Sequence, residues 1–134
     1  MAFVLDASIT AAWALPDETS GLADRLLRVA QVDGAVVPPL WWYEIRNILV
    51  IAERRKRITV SDADAFLRSL ARMGIRVGEL GDGKAMLRLA RAHQLSVYDA
   101  AYLELAVRES LPLGTLDRRL AQAAEQENVE ALNT

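Results

Sequence analysis

Short apolar runs alternate along this chain with longer segments whose apolar residues recur every three or four positions. Ala2–Leu5 (AFVL) is the first run; Asp6 and Ser8 then open an Ala-rich stretch that reads as helix and closes near Pro16. In Gly21–Val32, Leu22, Leu26, Leu27 and Ala30 share one face, which predicts an amphipathic helix. Ala35–Val37 is a second short strand, ended by Pro38-Pro39, which favour a turn and then a helix start. Leu40–Ile51 (LWWYEIRNILVI) predicts a mostly buried helix leading into a basic run. Ser61–Met73 opens on SDAD, where Ser61 and Asp64 suggest a variant capping box. Ile75–Val77 is a third strand, and Asp82–His93 a helix with His93 near its end. Ser96 and Asp99 repeat the capping signal before a helix through about Arg108. Leu111–Thr115 is a fourth strand, Asp117–Gln126 a helix and Val129–Ala131 a last short strand. Brief strands alternating with helices predict an α/β fold: a short parallel sheet covered on both faces. Nothing interrupts the pattern as a linker or repeat, so residues 1–134 are read as a single domain, and the length suits one.

Composition narrows the chemistry. The chain has no Cys and a single His, which removes disulfides, a thiolate nucleophile and any Cys-based zinc site. No basic segment precedes the first apolar run, which Asp6 interrupts, and no run approaches the ~18 apolar residues of a membrane span. A soluble cytoplasmic protein is expected. The net charge of −2 argues against a non-specific nucleic-acid binder, yet the basic residues are grouped. Arg54, Arg55, Lys56 and Arg57 are consecutive, and Arg118 and Arg119 form a second pair. The first group also suits a solvated helix end, where cations complement the dipole.

Four carboxylates stand out by position: Asp6, Glu44, Asp99 and Asp117. Each has an ordinary local explanation, because each sits at or near a predicted helix start, where an acid caps or complements the dipole. Together they point elsewhere. In a parallel α/β sheet the segments leaving the strands' carboxyl ends emerge on one side, and ligands bind where the strand order reverses. If the first and fourth strands are neighbours, Asp6 and Asp117 converge, and the helices from Leu40 and Val97 bring Glu44 and Asp99 to the same edge. Clustered carboxylates repel unless cations neutralise them, and hard divalent ions do so through oxygen ligands. Such ions support phosphodiester cleavage. Glu44 lies in an otherwise apolar stretch with Asn47 one turn beyond, while Ser8 and Thr115 flank Asp6 and Asp117 in sequence. Tyr98 and Tyr102, four apart beside Asp99, are candidates to stack on a nucleotide, or else part of the core.

The stretches FVLDASITAAWALPDE, WWYEIRN, SVYDAAYLELA and LGTLDRRL together resemble the PIN-domain ribonucleases, and within them the VapC toxins of type II toxin–antitoxin systems. The resemblance covers nearly the whole chain. It implies a three-layer α/β/α sandwich with the site at the carboxyl ends of the strands. It also implies a Mg²⁺- or Mn²⁺-dependent endoribonuclease whose metal-binding acids fall on Asp6, Glu44, Asp99 and Asp117. Ser8 and Thr115 match the accessory hydroxyls. The implied substrates are cellular RNAs (tRNA, rRNA or mRNA), the implied assembly is a homodimer, and the implied partner is a small VapB-like antitoxin that inserts a segment into the acidic groove. Arg54, Arg55, Lys56, Arg57, Arg118 and Arg119 are then candidates to contact flanking phosphates.

Other readings are a catalytically silent interaction module on the same fold, and a PIN nuclease of RNA processing outside toxin–antitoxin biology. A phosphoacceptor receiver domain fits poorly: Asp6 has no acidic neighbour, Gly78-Glu79 follow the third strand, and the only lysines are Lys56 and Lys84.

Overall fold

A computed structural model describes all 134 residues. In chain order the elements are β1 (Phe3–Leu5), α1 (Ala7–Ala14), α2 (Gly21–Asp33), β2 (Ala35–Val37), α3 (Leu40–Arg54) and α4 (Val60–Ala71). They continue as β3 (Arg76–Val77), α5 (Gly83–His93), α6 (Val97–Glu109), β4 (Leu113–Gly114), α7 (Arg118–Gln126) and β5 (Ala131–Leu132). All strand pairings are parallel, in the order β3-β2-β1-β4-β5. The chain therefore builds outward from β1 through β2 to β3, then returns to start the other half at β4. Right-handed crossovers put α1–α4 on one face and α5–α7 on the other. The packing agrees, with α1 against α2 and α3, α3 against α4, and α6 against α5 and α7. The result is the expected three-layer sandwich.

Strands this short are viable because they are buried on both sides: Phe3, Val4, Leu5 and Val37 have no exposed surface. Register is pinned at the centre by the Val4 amide donating to the Pro112 carbonyl at 2.8 Å and the Asp6 amide to the Gly114 carbonyl at 3.1 Å. Helix α6 is buried on all sides over Ala100–Ala106, which explains its weak amphipathic signal. That stretch includes Glu104, whose carboxylate accepts two bonds from Arg108 one turn on, at 2.9 and 3.1 Å. Arg108 also donates to the Glu79 carbonyl, tying α6 to the segment that follows β3.

Two local readings change. The capping box of α4 is Thr59 with Asp62, each side chain bonding the other's backbone amide, so the Ser61–Asp64 pair lies inside the helix. The buried Ile58 immediately before Thr59 anchors the chain and sets where the helix begins. The edge strands also start later than expected, β3 at Arg76 and β5 at Ala131.

Candidate active site

The strand order places the reversal between β1 and β4, and Asp6 and Thr115 each leave one of these strands. Asp6 occupies the N-cap position of α1 but makes no side-chain capping bond. Its Oδ2 instead accepts the Ser8 hydroxyl at 2.6 Å and the Thr115 hydroxyl at 2.7 Å. Both hydroxyl oxygens accept in turn, Ser8 Oγ from the Leu116 amide and Thr115 Oγ1 from the Asp117 amide. Ser8 and Thr115 thus stitch the two central strand ends together around one carboxylate. Thr115 does not cap α7; Asp117 does, accepting from the Arg119 and Leu120 amides.

The other two acids arrive from opposite faces of the sheet. Glu44 stands in the second turn of α3 and Asp99 in the first turn of α6, where Ser96 caps the helix through the Asp99 amide. The electrostatics tie the four together. Burial pushes the Asp6 carboxyl above the ordinary aspartate range; the Ser8 and Thr115 hydroxyls and the Ala7 amide pull the other way, and Asp117 adds repulsion. Glu44 is raised by burial, and then by Asp6 and Asp99, against the opposing Tyr102 hydrogen bond. Asp99 is raised by burial and then by Asp6 and Asp117, with a hydrogen bond from the Ser96 side chain and then the Arg119 charge partly offsetting them. None of the four forms an ion pair; every salt bridge of the chain lies elsewhere. Three carboxyls held above their ordinary range, Asp6, Glu44 and Asp99, with no ion-pair partner among them, are a mark of a functional site.

The donor set is oxygen throughout, carboxylates backed by hydroxyls, which suits a hard divalent cation such as Mg²⁺ or Mn²⁺. No three acidic or His side chains are spaced to grip one ion by themselves. An ion held here keeps part of its water shell, as Mg²⁺ characteristically does.

The remaining candidates divide. Tyr98 is 67% exposed beside Asp99, and Arg118 and Arg119 are exposed in the first turn of α7 next to Asp117. Arg119 donates to the Gln94 carbonyl at 2.8 Å, which holds it against the end of α5. Asn47 is exposed on α3, three residues past Glu44. Tyr102 is not available to a nucleotide base. It is 1% exposed in the core, and its hydroxyl donates to Glu44 Oε1 at 2.5 Å. The basic run lies at the other end of α3: Arg54 is ten residues beyond Glu44, about 15 Å of helix rise. Arg57 is committed to a bidentate bond with Asp17 at 2.6 and 3.0 Å and a contact with Glu18, so it is an internal tie between α3 and the end of α1 rather than a phosphate ligand. Arg54, Arg55 and Lys56 stay exposed there, with Lys56 in the left-handed region just past the helix end. His93 bridges α5 to α7, meeting Gln126 at 2.9 Å and Glu127 at 2.7 Å, rather than only closing its own helix.

The PIN domain family model matches residues 3–126. The chain is 35% identical over 125 residues to Ribonuclease VapC3 from Pyrobaculum aerophilum, spanning 91% of this chain and 94% of that protein. Among solved structures, it superposes on PAE2754 from the same organism with a TM-score of 0.76 at 24% identity, over 98% of this chain and 84% of the other. FitAcB from Neisseria gonorrhoeae gives a TM-score of 0.68 at 16% identity, over 99% and 97%. These two likenesses speak for the fold; the sequence relative and the family model speak for the lineage. With its four acids around the β1–β4 switch point, the chain belongs to the PIN-domain family and, within it, to the VapC ribonucleases.

Proposed function

We propose that this protein is the endoribonuclease toxin of a VapBC-type module, cleaving RNA phosphodiester bonds with a divalent metal held at the cluster of Asp6, Asp99 and Asp117, in part through the ion's water shell, and assisted by Glu44. What carries the reading is the uncompensated acid cluster at the switch point of a VapC-family chain. Asp6 is held by Ser8 and Thr115, and Asp117 by the amides it caps, so two ligands are fixed before any substrate arrives. Such pre-organisation is what charge stabilisation at phosphorus requires. The ion, Mg²⁺ or Mn²⁺, supplies Lewis-acid charge and lowers the pKa of water at the site. Proton transfer then needs no His, and His93 is engaged with Gln126 and Glu127.

Arg118 and Arg119 flank the acids and are the cations placed to meet the neighbouring phosphates of the RNA, with exposed Tyr98 as a stacking surface. Removing the Arg118 charge by Arg118→Ala is expected to weaken RNA binding uniformly across sequences and to lower the salt slope by about one unit. Binding of RNA by an Asp6→Asn protein at graded salt checks this; an unchanged slope would remove Arg118 from the footprint.

The same acids would receive a cationic segment of a VapB-like antitoxin. Between α3 and α4, a cavity of about 180 Å³ is walled by Trp41, Trp42, Leu67, Leu70, Ile75 and Val77 and offers an apolar anchor. Trp42 stays 45% exposed, with the Arg46 guanidinium 3.7 Å above its ring. A homodimer is the proposed assembly.

The deciding experiment is incubation of total RNA with the purified chain in Mg²⁺ or Mn²⁺, beside EDTA and Asp6→Asn controls. Discrete fragments that need both metal and Asp6 are expected. Cleavage that persists in EDTA, or in the folded Asp6→Asn protein, would overturn the assignment.

A further inference from the structure

Glu44 and Tyr102 form a pair that the metal-site reading leaves unexplained. Tyr102 is 1% exposed, and its hydroxyl donates to Glu44 Oε1 at 2.5 Å, with the Ala7 amide on the hydroxyl oxygen. Glu44 has no ion-pair partner, and Tyr102 supplies its one side-chain hydrogen bond. A phenol donating to a carboxylate is a charge-assisted bond, shorter and roughly twice as strong as a neutral one. Its placement matters more than its strength. Tyr102 lies on α6 three residues after Asp99, so one turn of one helix carries both a proposed ligand and the group that holds another. Helix α6 is enclosed there, buried over Ala100–Ala106, whereas Glu44 comes from α3 on the opposite layer. This bond is the only side-chain hydrogen bond joining the two helices.

A Glu has three rotatable side-chain bonds, and an acid beside other acids is driven away from them by repulsion. Without a tether, Glu44 would relax toward water on the exposed side of α3, where Tyr43 is 70% exposed. We infer that Tyr102 is a positioning residue for metal binding: by taking Oε1 of Glu44 it holds the carboxylate at the cluster with Oε2 left for the ion or its water shell. The inference rests on the metal-site reading above and goes beyond it, because Tyr102 touches neither ion nor RNA. It also gives a reason for a tyrosine at a core position where phenylalanine would pack equally well: a buried hydroxyl needs a partner, and here the partner is an acid of the site.

The test is Tyr102→Phe, which keeps the ring and removes the hydroxyl. Mn²⁺ is titrated calorimetrically into RNA-free wild type, Tyr102→Phe, Glu44→Gln and the double variant, and the Mg²⁺ dependence of RNA cleavage is measured on the same proteins. Tyr102→Phe is expected to weaken Mn²⁺ binding about tenfold, within the ~10–100-fold range seen when an outer-shell partner of a ligand is lost. The Mg²⁺ concentration for half-maximal cleavage should rise by a similar factor, with much of the rate recovered at saturating Mg²⁺. In the Glu44→Gln background the same substitution should add little, since the two act as one unit. A purely structural tyrosine would lower the melting temperature equally in both backgrounds and leave the Mn²⁺ isotherm unchanged, and that result overturns the proposal. Should the wild type bind Mn²⁺ but cleave no RNA, the nuclease reading fails while the isotherms still decide the role of Tyr102.

Discussion

Asp99→Asn is expected to abolish RNA cleavage and, in EDTA, to raise the melting temperature. Both effects come from one charge. For cleavage, losing a carboxylate ligand removes both metal affinity and the field that stabilises charge at phosphorus, a loss of at least about a hundredfold. For stability, two local terms compete. The N-terminus of α6 favours an anion in its first turn by ~0.3–1 kcal/mol. Burial, and then the charges of Asp6 and Asp117, disfavour it and win, because the net shift of the Asp99 carboxyl is upward. The one side chain that hydrogen-bonds the Asp99 carboxylate is Ser96, and an amide oxygen of the same shape can accept that bond, so the substitution costs little to accommodate.

The pH dependence follows in sign. A carboxyl raised in the fold above its unfolded value of about 4 binds more protons in the native state, so stability increases as the pH falls through the folded pKa. From its unfolded value of about 4 up through the folded pKa, the metal-free wild type should therefore lose stability relative to Asp99→Asn as the pH rises. Taking the difference between the two proteins cancels the groups that do not interact with Asp99, while the repulsion it shares with Asp6 and Glu44 adds with the same sign. Adding Mg²⁺ should raise the melting temperature of the wild type in proportion to binding, and far less for the variant. Thermal melts of both proteins in EDTA and in Mg²⁺ across this range make the check. Equal melting temperatures at pH 7.5 in EDTA would mean that the acids do not strain the fold.

Gly114→Val is expected to lower the melting temperature by about 7 °C, corresponding to roughly 2 kcal/mol for a chain of this size. Gly114 is in β4, paired with Leu5 of β1. A Cβ there would stand 2.8 Å from Leu26 Cδ1 and 3.0 Å from Phe3 Cδ2, and both side chains are buried. Strand propensity pushes the other way, since Val is favoured in strands on a scale spanning only ~1 kcal/mol, while overpacking a core costs ~1–3 kcal/mol. Packing decides. Because Thr115 follows directly and donates to Asp6, a displaced β4 should also reduce cleavage. Gly83→Ala is the control: nothing lies within 4 Å of the added carbon, and a small gain in stability is expected. A melting temperature unchanged by Gly114→Val would show that the β1–β4 seam is slack.

Much of the site was readable before the fold was seen, and the reason is positional. Asp6, Glu44 and Asp117 sit where short strands give way to helices, and a parallel sheet sends all such junctions to one edge; Asp99 opens α6, which follows α5 and begins at that same edge. The pairing of β1 with β4, on which convergence depends, was a condition that the strand order meets. Side-chain commitments were less legible. Thr59–Asp62 and Ser61–Asp64 both fit the capping pattern, and only the burial of Ile58 selects the first. Tyr98 and Tyr102 share a helix and a residue type, yet one faces water and the other the core, because α6 is enclosed only from Ala100 to Ala106 and offers no amphipathic period to separate them. Arg57 stands last in a basic run, but Asp17 and Glu18 claim it from 40 and 39 residues away. Glu104 passed unmarked among apolar neighbours, although Arg108 four residues on was its visible partner.

The sequence by itself determined the elements, the α/β class and which four acids stand at or near helix starts, because periodicity, capping residues and Pro or Gly breaks are local properties of the chain. Only the tertiary structure decided what those acids touch: Asp6 held by Ser8 and by Thr115 from 109 residues away, and Glu44 held by Tyr102 from 58. Hydrogen bonds and burial are set by distances between residues far apart in the chain, and such distances exist only once the two layers have closed on the sheet.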